Sequence, residues 1–223
     1  MGSKILSLNV GTPAPLTWRD KTIVTSMIRH PLTGPLVVHK DHIEGDRFSQ
    51  PDLHGTLDTI LYLLGVTSIT NYVQTMGHQQ YTPGLIGENV TLDSFDEDEI
   101  SIGDIFRIGE VVIQAASPRF PCEKLNLLFE SDEAKRQMEL GGRSGVYFRI
   151  LEPGKIYQDS TVTLAEKAKV PFMVPDFFKM IASKRMITSE EYEKVLANGA
   201  FPQRWVNLWR VRLNEFASAT VNP

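Results

Sequence analysis

The chain has 223 residues, 42% of them hydrophobic, and a net charge of −4 at pH 7. That apolar content supports a sizeable core and excludes global disorder, while the acidic balance argues against a binder of nucleic-acid polymers. A single cysteine excludes an intrachain disulfide framework and every multi-cysteine zinc motif, and no apolar run reaches the length of a membrane span.

Met1 to Ser7 lacks a charged segment followed by a long apolar one, so the expectation is a cytoplasmic protein with no membrane partner. Lys4 to Val10 alternates apolar and polar residues, as a half-buried strand does, and Pro13 and Pro15 end it. Lys21 to Arg29 reads as a second strand, stopped by Pro31. Leu36 to His39 reads as a short third one after the turn Thr33-Gly34-Pro35. Short strands punctuated by glycine and proline predict a barrel or sandwich rather than alternating βαβ units.

Ile43 to Gly55 is polar and turn-rich, which predicts a surface loop. Leu57, Ile60, Leu61 and Leu64 share one helical face, with Gly65 as the stop. Ile69, Tyr72, Val73 and Met76 repeat the spacing in a second helix. His54, beside the expected helix start, is either an ordinary loop histidine or a contact for an anion or cofactor. His39 and His42 share no face and are discounted as metal ligands. Pro83 to Asn89 is a glycine-containing loop, and the acidic run Asp93 to Glu99 is expected to be solvated.

Ile100 to Ala116 is the clearest β signal, and it leads straight into Ser117-Pro118-Arg119-Phe120-Pro121-Cys122-Glu123-Lys124-Leu125. Each proline pushes the residue before it toward extended backbone, so the loop is stiff. Glu123 to about Leu140 is expected to form one helix, ended by Gly141-Gly142. Cys122 then sits in its first turn, where the helix dipole favours a thiolate. Arg119 and Lys124 add positive charge. A rigid, electropositive thiolate is a nucleophile or a soft-metal ligand, whereas an ordinary buried cysteine is a small hydrophobe.

Arg143 to Leu151 and Thr161 to Lys167 read as strands. Arg143 and Arg149 are either solvated charges or, with Arg119 and Lys124, part of an anion pocket. Beyond about residue 170 the pattern becomes helical. Phe177, Phe178 and Ile181 mark one helix, the capping box Thr188 to Glu191 opens a second, and Trp205, Leu208, Trp209 and Leu213 stripe a third. The expected division is 1–168 and 169–223, with structural packing or a homodimer contact as the role of the helices.

Gly45-Asp46, His54-Gly55, Gly87-Glu88-Asn89, Ile102-Gly103-Asp104, Ser117-Pro118-Arg119 and Pro121-Cys122 together resemble the MOSC domain (molybdenum cofactor sulfurase C-terminal domain), most closely its YiiM-like branch. The resemblance implies a mainly β, α+β architecture: a β-barrel core with peripheral helices, followed by a small three-helix appendage. It also implies a molybdenum cofactor (molybdopterin) whose metal is held by Cys122, the catalytic position. Arg119, Lys124, His54, Asn89 and Arg143 would line the cofactor pocket. Thr56 stands where the family commonly has a second glycine after the histidine.

The implied activity is reduction of N-hydroxylated small molecules: hydroxylamines, amidoximes and N-hydroxylated base analogues. No flavin or NAD motif is visible, so the electrons would come from an external flavoprotein reductase. The alternatives are a carrier of the molybdenum cofactor without turnover, and a sulfur-transfer protein with a persulfide on Cys122.

Overall fold

The computed structural model describes residues 2–50, 56–77 and 80–221, the last six of these in backbone alone. Its strands are β1 (Ser3–Val10), β2 (Ala14–Trp18), β3 (Lys21–Thr25), β4 (His30–Pro31), β5 (Leu36–Val38), β6 (Leu61–Gly65), β7 (Val90–Leu92), β8 (Ile105–Ile108), β9 (Val111–Pro118), β10 (Val146–Glu152), β11 (Gly154–Ile156) and β12 (Thr161–Glu166). Seven of them close a barrel in the order β12-β8-β9-β10-β6-β7-β1, sealed where Ser3 of β1 pairs with Val162 of β12. β4 extends β1 outside the ring, and β2–β3 and β5–β11 form separate two-stranded ribbons. β6 and β7 run parallel, and the other pairings are antiparallel.

The barrel interior follows strand alternation. On β10, Val146, Phe148 and Ile150 point inward, while Tyr147 and Arg149 face out and are half-buried. Phe148 meets Phe106 at 5.8 Å and Phe95 at 6.3 Å between ring centroids, filling the middle of the barrel.

A helix was expected over Leu57 to Leu64, but Leu61–Gly65 is a strand with every residue buried. Leu61 and Leu63 enter the barrel core. Tyr62 and Leu64 enter a second core outside it, beneath α1 (Val66–Thr75), α2 (Lys124–Leu128) and α3 (Ala134–Gly141). A strand covered on both faces is apolar at every position, and that pattern also satisfies a helical period. Thr56 opens a turn in which its carbonyl accepts from the Thr59 amide at 2.9 Å.

The C-terminal helices are α4 (Val174–Ala182), α5 (Ser189–Asn198) and α6 (Gln203–Val221). Both halves of the expected capping box form at α5: Thr188 accepts from the Glu191 amide, and Glu191 accepts from the Thr188 amide. Gly199, at φ 72°, ends that helix. The buried core runs without a break from the barrel into these helices through Phe172, Phe177, Phe201 and Trp209. Arg149 and Asn198 reinforce the junction by donating to the carbonyls of Ala200 and Ile102 at 2.7 and 2.8 Å. No helix among the described residues is long and apolar enough to cross a membrane.

Candidate functional site

β9 delivers the chain to Arg119, and three hydrogen bonds fix the loop there. The Arg119 amide donates to the Gly145 carbonyl at 2.9 Å, and the Ser144 hydroxyl donates to the Arg119 carbonyl. The Tyr62 hydroxyl in turn donates to the Ser144 carbonyl. The cysteine loop is thus tied to the turn before β10 and to the outward face of β6. Tyr62 and Gly145 are in such close contact that a Cβ on Gly145 would lie 2.4 Å from the Tyr62 ring, and Gly145 has φ 82°. Only glycine suits that position.

Cys122 lies two residues ahead of α2, not within a helical turn, and is half-buried. The long helix expected from Glu123 to Leu140 is instead α2 and α3, separated by Glu130 in left-handed geometry at φ 50°. A five-residue helix carries too little aligned dipole to govern the thiol, so the charge at the site comes from side chains.

Cys122 opens onto a cavity of about 810 Å³. Arg119 and Lys124 line it from the cysteine loop, Met27 and Arg29 from the segment after β3, and Tyr147 from β10. Trp205 and Leu208 line it from α6. The Lys124 amine donates to the side-chain oxygen of Gln50, which lines the same cavity, at 2.9 Å.

The two buried arginines differ. Arg29 is locked by a fork: Nε and Nη2 donate to Asp46 at 2.8 and 2.7 Å, and Nη1 donates to the Gly87 carbonyl. Asp46 accepts further from the Gly11 amide at 2.8 Å and from Asn89 Nδ2 at 3.2 Å. Arg119 is only 4% exposed, and the partner of its guanidinium is the Met138 sulfur at 3.4 Å. Among the described residues no carboxylate pairs with it. A buried guanidinium costs several kcal/mol to desolvate, and among the described residues no carboxylate is placed to offset that cost. The wall it occupies therefore suits an anion.

Tyr147 packs on Tyr62 with ring centroids 5.1 Å apart. Burial pushes its phenol above the usual range, only partly opposed by Arg119, so it stays protonated at neutral pH. Among the described residues its hydroxyl has no hydrogen-bond partner.

Of the residues singled out from sequence, Cys122, Arg119 and Lys124 come together on this cavity. Asn89 does not reach it: it is buried behind the wall, where its side-chain oxygen accepts from the Tyr62 amide at 3.2 Å and its amide steadies Asp46. Arg143 does not reach it either, because Asp96 and Asp98 hold it on the far side of the 143–145 turn. Arg149 pairs with Asp58 at 2.7 Å and is no part of an anion pocket. His54 lies outside the described residues. The acidic run is not all solvated: Glu97 is 2% exposed and accepts from the Ser144 amide at 3.2 Å. Sequence reasoning missed Arg29, Tyr147 and the aromatic wall. For Tyr147 the signal was its outward place in the alternation of β10.

A cofactor-borne metal fits this donor set. Among the described residues no cluster of three histidine, cysteine or acidic side chains forms a metal cage. A metal at Cys122 must therefore bring most of its own ligands, as a dithiolene-bound molybdenum does. The cavity volume and the unpaired Arg119 suit its anionic organic part.

The family model of the MOSC domain matches residues 50–163, half of the chain. The chain belongs to the MOSC domain family. The MOSC relatives include YflK of Bacillus subtilis (strain 168), an uncharacterized protein 28% identical over 203 residues, covering 90% of each chain. Protein YiiM of Escherichia coli (strain K12) is 26% identical over 181 residues, 80% of each chain. A reductase of Gibberella moniliformis is 30% identical over 107 residues, which is 48% of this MOSC chain and 19% of that protein. YiiM from Geobacillus stearothermophilus shares the MOSC fold at a TM-score of 0.76 and 23% identity, covering 95% of this chain and 99% of that one, the C-terminal helices included.

Proposed function

We propose that this MOSC protein is a molybdenum-cofactor-dependent reductase of N-hydroxylated compounds. The observation that carries the reading is the pairing of the lone thiol with a buried, acid-free guanidinium on one cavity. Support comes from the family, which is associated with the molybdenum cofactor, and from the relative named a reductase.

Cys122 would hold the metal through its thiolate. Arg119, with Lys124 at the rim, would hold the phosphate or pterin edge of the cofactor. When bound, the cofactor supplies the two-electron redox chemistry that no side chain here can. The overall reaction takes R–NH–OH, two protons and two electrons to R–NH₂ and water. The N–O bond breaks and the oxygen leaves as water. Reduced flavoprotein is the class of electron donor that completes the balance.

The chain's own tasks are binding, exclusion of water and proton supply. The Tyr147 hydroxyl, protonated and unpaired on the cavity wall, would donate to the departing oxygen. Met27, Ile86 and Leu208 give the cavity wall apolar surface that would disfavour water beside the reacting bond.

The test is molybdenum content by elemental analysis after expression in a cofactor-competent host, with reduction of a hydroxylamine by a chemical electron donor. Near-stoichiometric metal that is lost in Cys122→Ala, together with amine formation, is the expected result. Retained metal without turnover would make the protein a carrier. Absence of metal, from a host that loads another molybdoenzyme, would overturn both.

A further inference from the structure

The acidic run grips the turn that carries the cysteine loop. Arg143 is held by Asp96 at 3.4 Å and by Asp98. The next residue, Ser144, is held by Glu97: the Ser144 amide donates to Glu97 Oε2 at 3.2 Å. Ser144 is fully buried, and each of its polar groups is engaged. Its hydroxyl donates to the Arg119 carbonyl, and its carbonyl accepts from the Tyr62 hydroxyl. Gly145 completes the hold by accepting from the Arg119 amide at 2.9 Å. A continuous chain of hydrogen bonds thus runs from Glu97 through Ser144 to Arg119 and ends three residues before Cys122.

The Glu97 end of that chain is the fixed one. The Val174 amide donates to the Ile100 carbonyl and the Ile102 amide to the Phe172 carbonyl, both at 2.9 Å, which ties the acidic turn to the start of the C-terminal helices. An acid is not needed there for packing. A glutamine would offer Ser144 the same acceptor without burying an ionisable group. The second carboxylate oxygen, Oε1, is buried and has no hydrogen-bond partner among the described residues.

We propose that Glu97 is a positioning residue for the cofactor pocket: it sets the 143–145 turn, and through Ser144 it sets the backbone from which Arg119 and Cys122 face the cavity. This deepens the cofactor reading and rests on it for the pocket's occupant. The hold is proton-dependent. Burial raises the Glu97 carboxyl to about 7, against the Gly145 and Ser144 amides and the charge of Arg143. Around it, Tyr62 stays protonated, Lys167 reaches the Glu99 carbonyl at 2.8 Å, and α4, packed on the same turn, carries Asp176 and Lys179. When the turn opens, Glu97 meets water and returns toward the ordinary 4.5. Opening therefore releases a proton, so the turn is tightest with Glu97 neutral and loosens as the pH rises from about 4.5 to about 7.

The experiment measures amide-exchange protection by NMR on the cofactor-free protein, and alkylation of Cys122 by iodoacetamide at one fixed pH. In Glu97→Ala the Ser144 amide loses its acceptor. Protection at Ser144 and Arg119 should fall about tenfold or more while the barrel strands keep theirs, and alkylation should speed up. Glu97→Gln should restore both. Between pH 5 and pH 7 wild-type protection at Arg119 should fall about tenfold or more, whereas Glu97→Gln stays flat. Molybdenum content after expression in a cofactor-competent host should drop in Glu97→Ala and return in Glu97→Gln. Unchanged protection and alkylation in Glu97→Ala overturn the proposal, as does undiminished metal in that variant. A loss of protection spread evenly over the barrel overturns it too, and makes Glu97 a packing group. If the wild type itself takes up no molybdenum, the cofactor reading fails, while exchange and alkylation still decide whether Glu97 positions the loop. Should Glu97→Ala fail to fold, wild type against Glu97→Gln across pH carries the test, and equal slopes overturn the proposal.

Discussion

The Arg119 guanidinium meets the sulfur of Met138 at 3.4 Å, where a buried arginine would ordinarily meet a carboxylate. The arrangement costs the empty protein stability and is recovered only when an anion arrives. Arg119→Met, which keeps the packing volume and removes the charge, should therefore raise the stability of the cofactor-free protein by about 1–4 kcal/mol. The same substitution should lower molybdenum content. Urea denaturation of the apo variant and elemental analysis of the expressed variant check the two halves. A destabilised apo variant would mean that Arg119 has a structural task.

Asp46 makes the opposite case. It gathers Arg29, the Gly11 amide and Asn89, so it ties three separate stretches of chain beneath the cavity. Asp46→Ala leaves Arg29 buried without its counter-charge, and a loss of about 3–5 kcal/mol is expected in the same denaturation assay. Replacing Asp46 should also loosen the cavity floor, lowering cofactor retention as a secondary effect.

Cys122→Ala separates function from fold. The thiol is half-buried, and the loop is held by the backbone and by Ser144 and Tyr62 rather than by the sulfur. The change in stability should stay below about 1 kcal/mol while molybdenum is lost. A large drop in melting temperature would show that the sulfur is a packing group.

Glu97 gives a pH signature. Burial pushes its carboxyl from 4.5 up to about 7, with the Gly145 and Ser144 amides only partly opposing. Between those values the folded protein binds a proton that the unfolded chain releases, so stability is full below about pH 4.5 and falls as the pH rises toward 7. The loss amounts to about 3 kcal/mol. Glu97→Gln should flatten that part of the stability–pH curve, measured by denaturation at half-unit intervals. An unchanged slope would show that Glu97 ionises freely.

The cysteine loop, the strand that delivers it, the capping box at Thr188 and the three C-terminal helices were legible because their signals are local. A proline, a cap or an apolar stripe acts within a few residues. β6 was misread because its two faces are covered by different cores, which erases the period of two. The break at Glu130 carries no proline or glycine to announce it. At the site, the residue types were visible but their pairings were not. Nothing near Arg143 in sequence shows that Asp96 and Asp98 claim it, or that Asp46 takes Arg29 and leaves Arg119 alone. Those assignments depend on which strands are neighbours, a matter of topology rather than composition.

The seal between β1 and β12 sets a schedule for the growing polypeptide. β1 finds β7 once residue 92 has emerged, and β4 pairs with Asn9 and Val10, yet the Ser3–Lys4 end of its other edge stays open until β12 is made. From Val10 to Thr161 the ribosome adds roughly 150 residues, about 8–30 s of synthesis at bacterial rates. Through that interval β1 presents an unsatisfied edge to its surroundings. It includes Leu6, half-exposed even in the finished barrel at 48%, with Lys4 as the one charge to discourage pairing with a stranger. Productive yield in a cell is then governed by how well that edge is shielded until residue 166 appears, and slower translation beyond β7 would raise the fraction lost to aggregation.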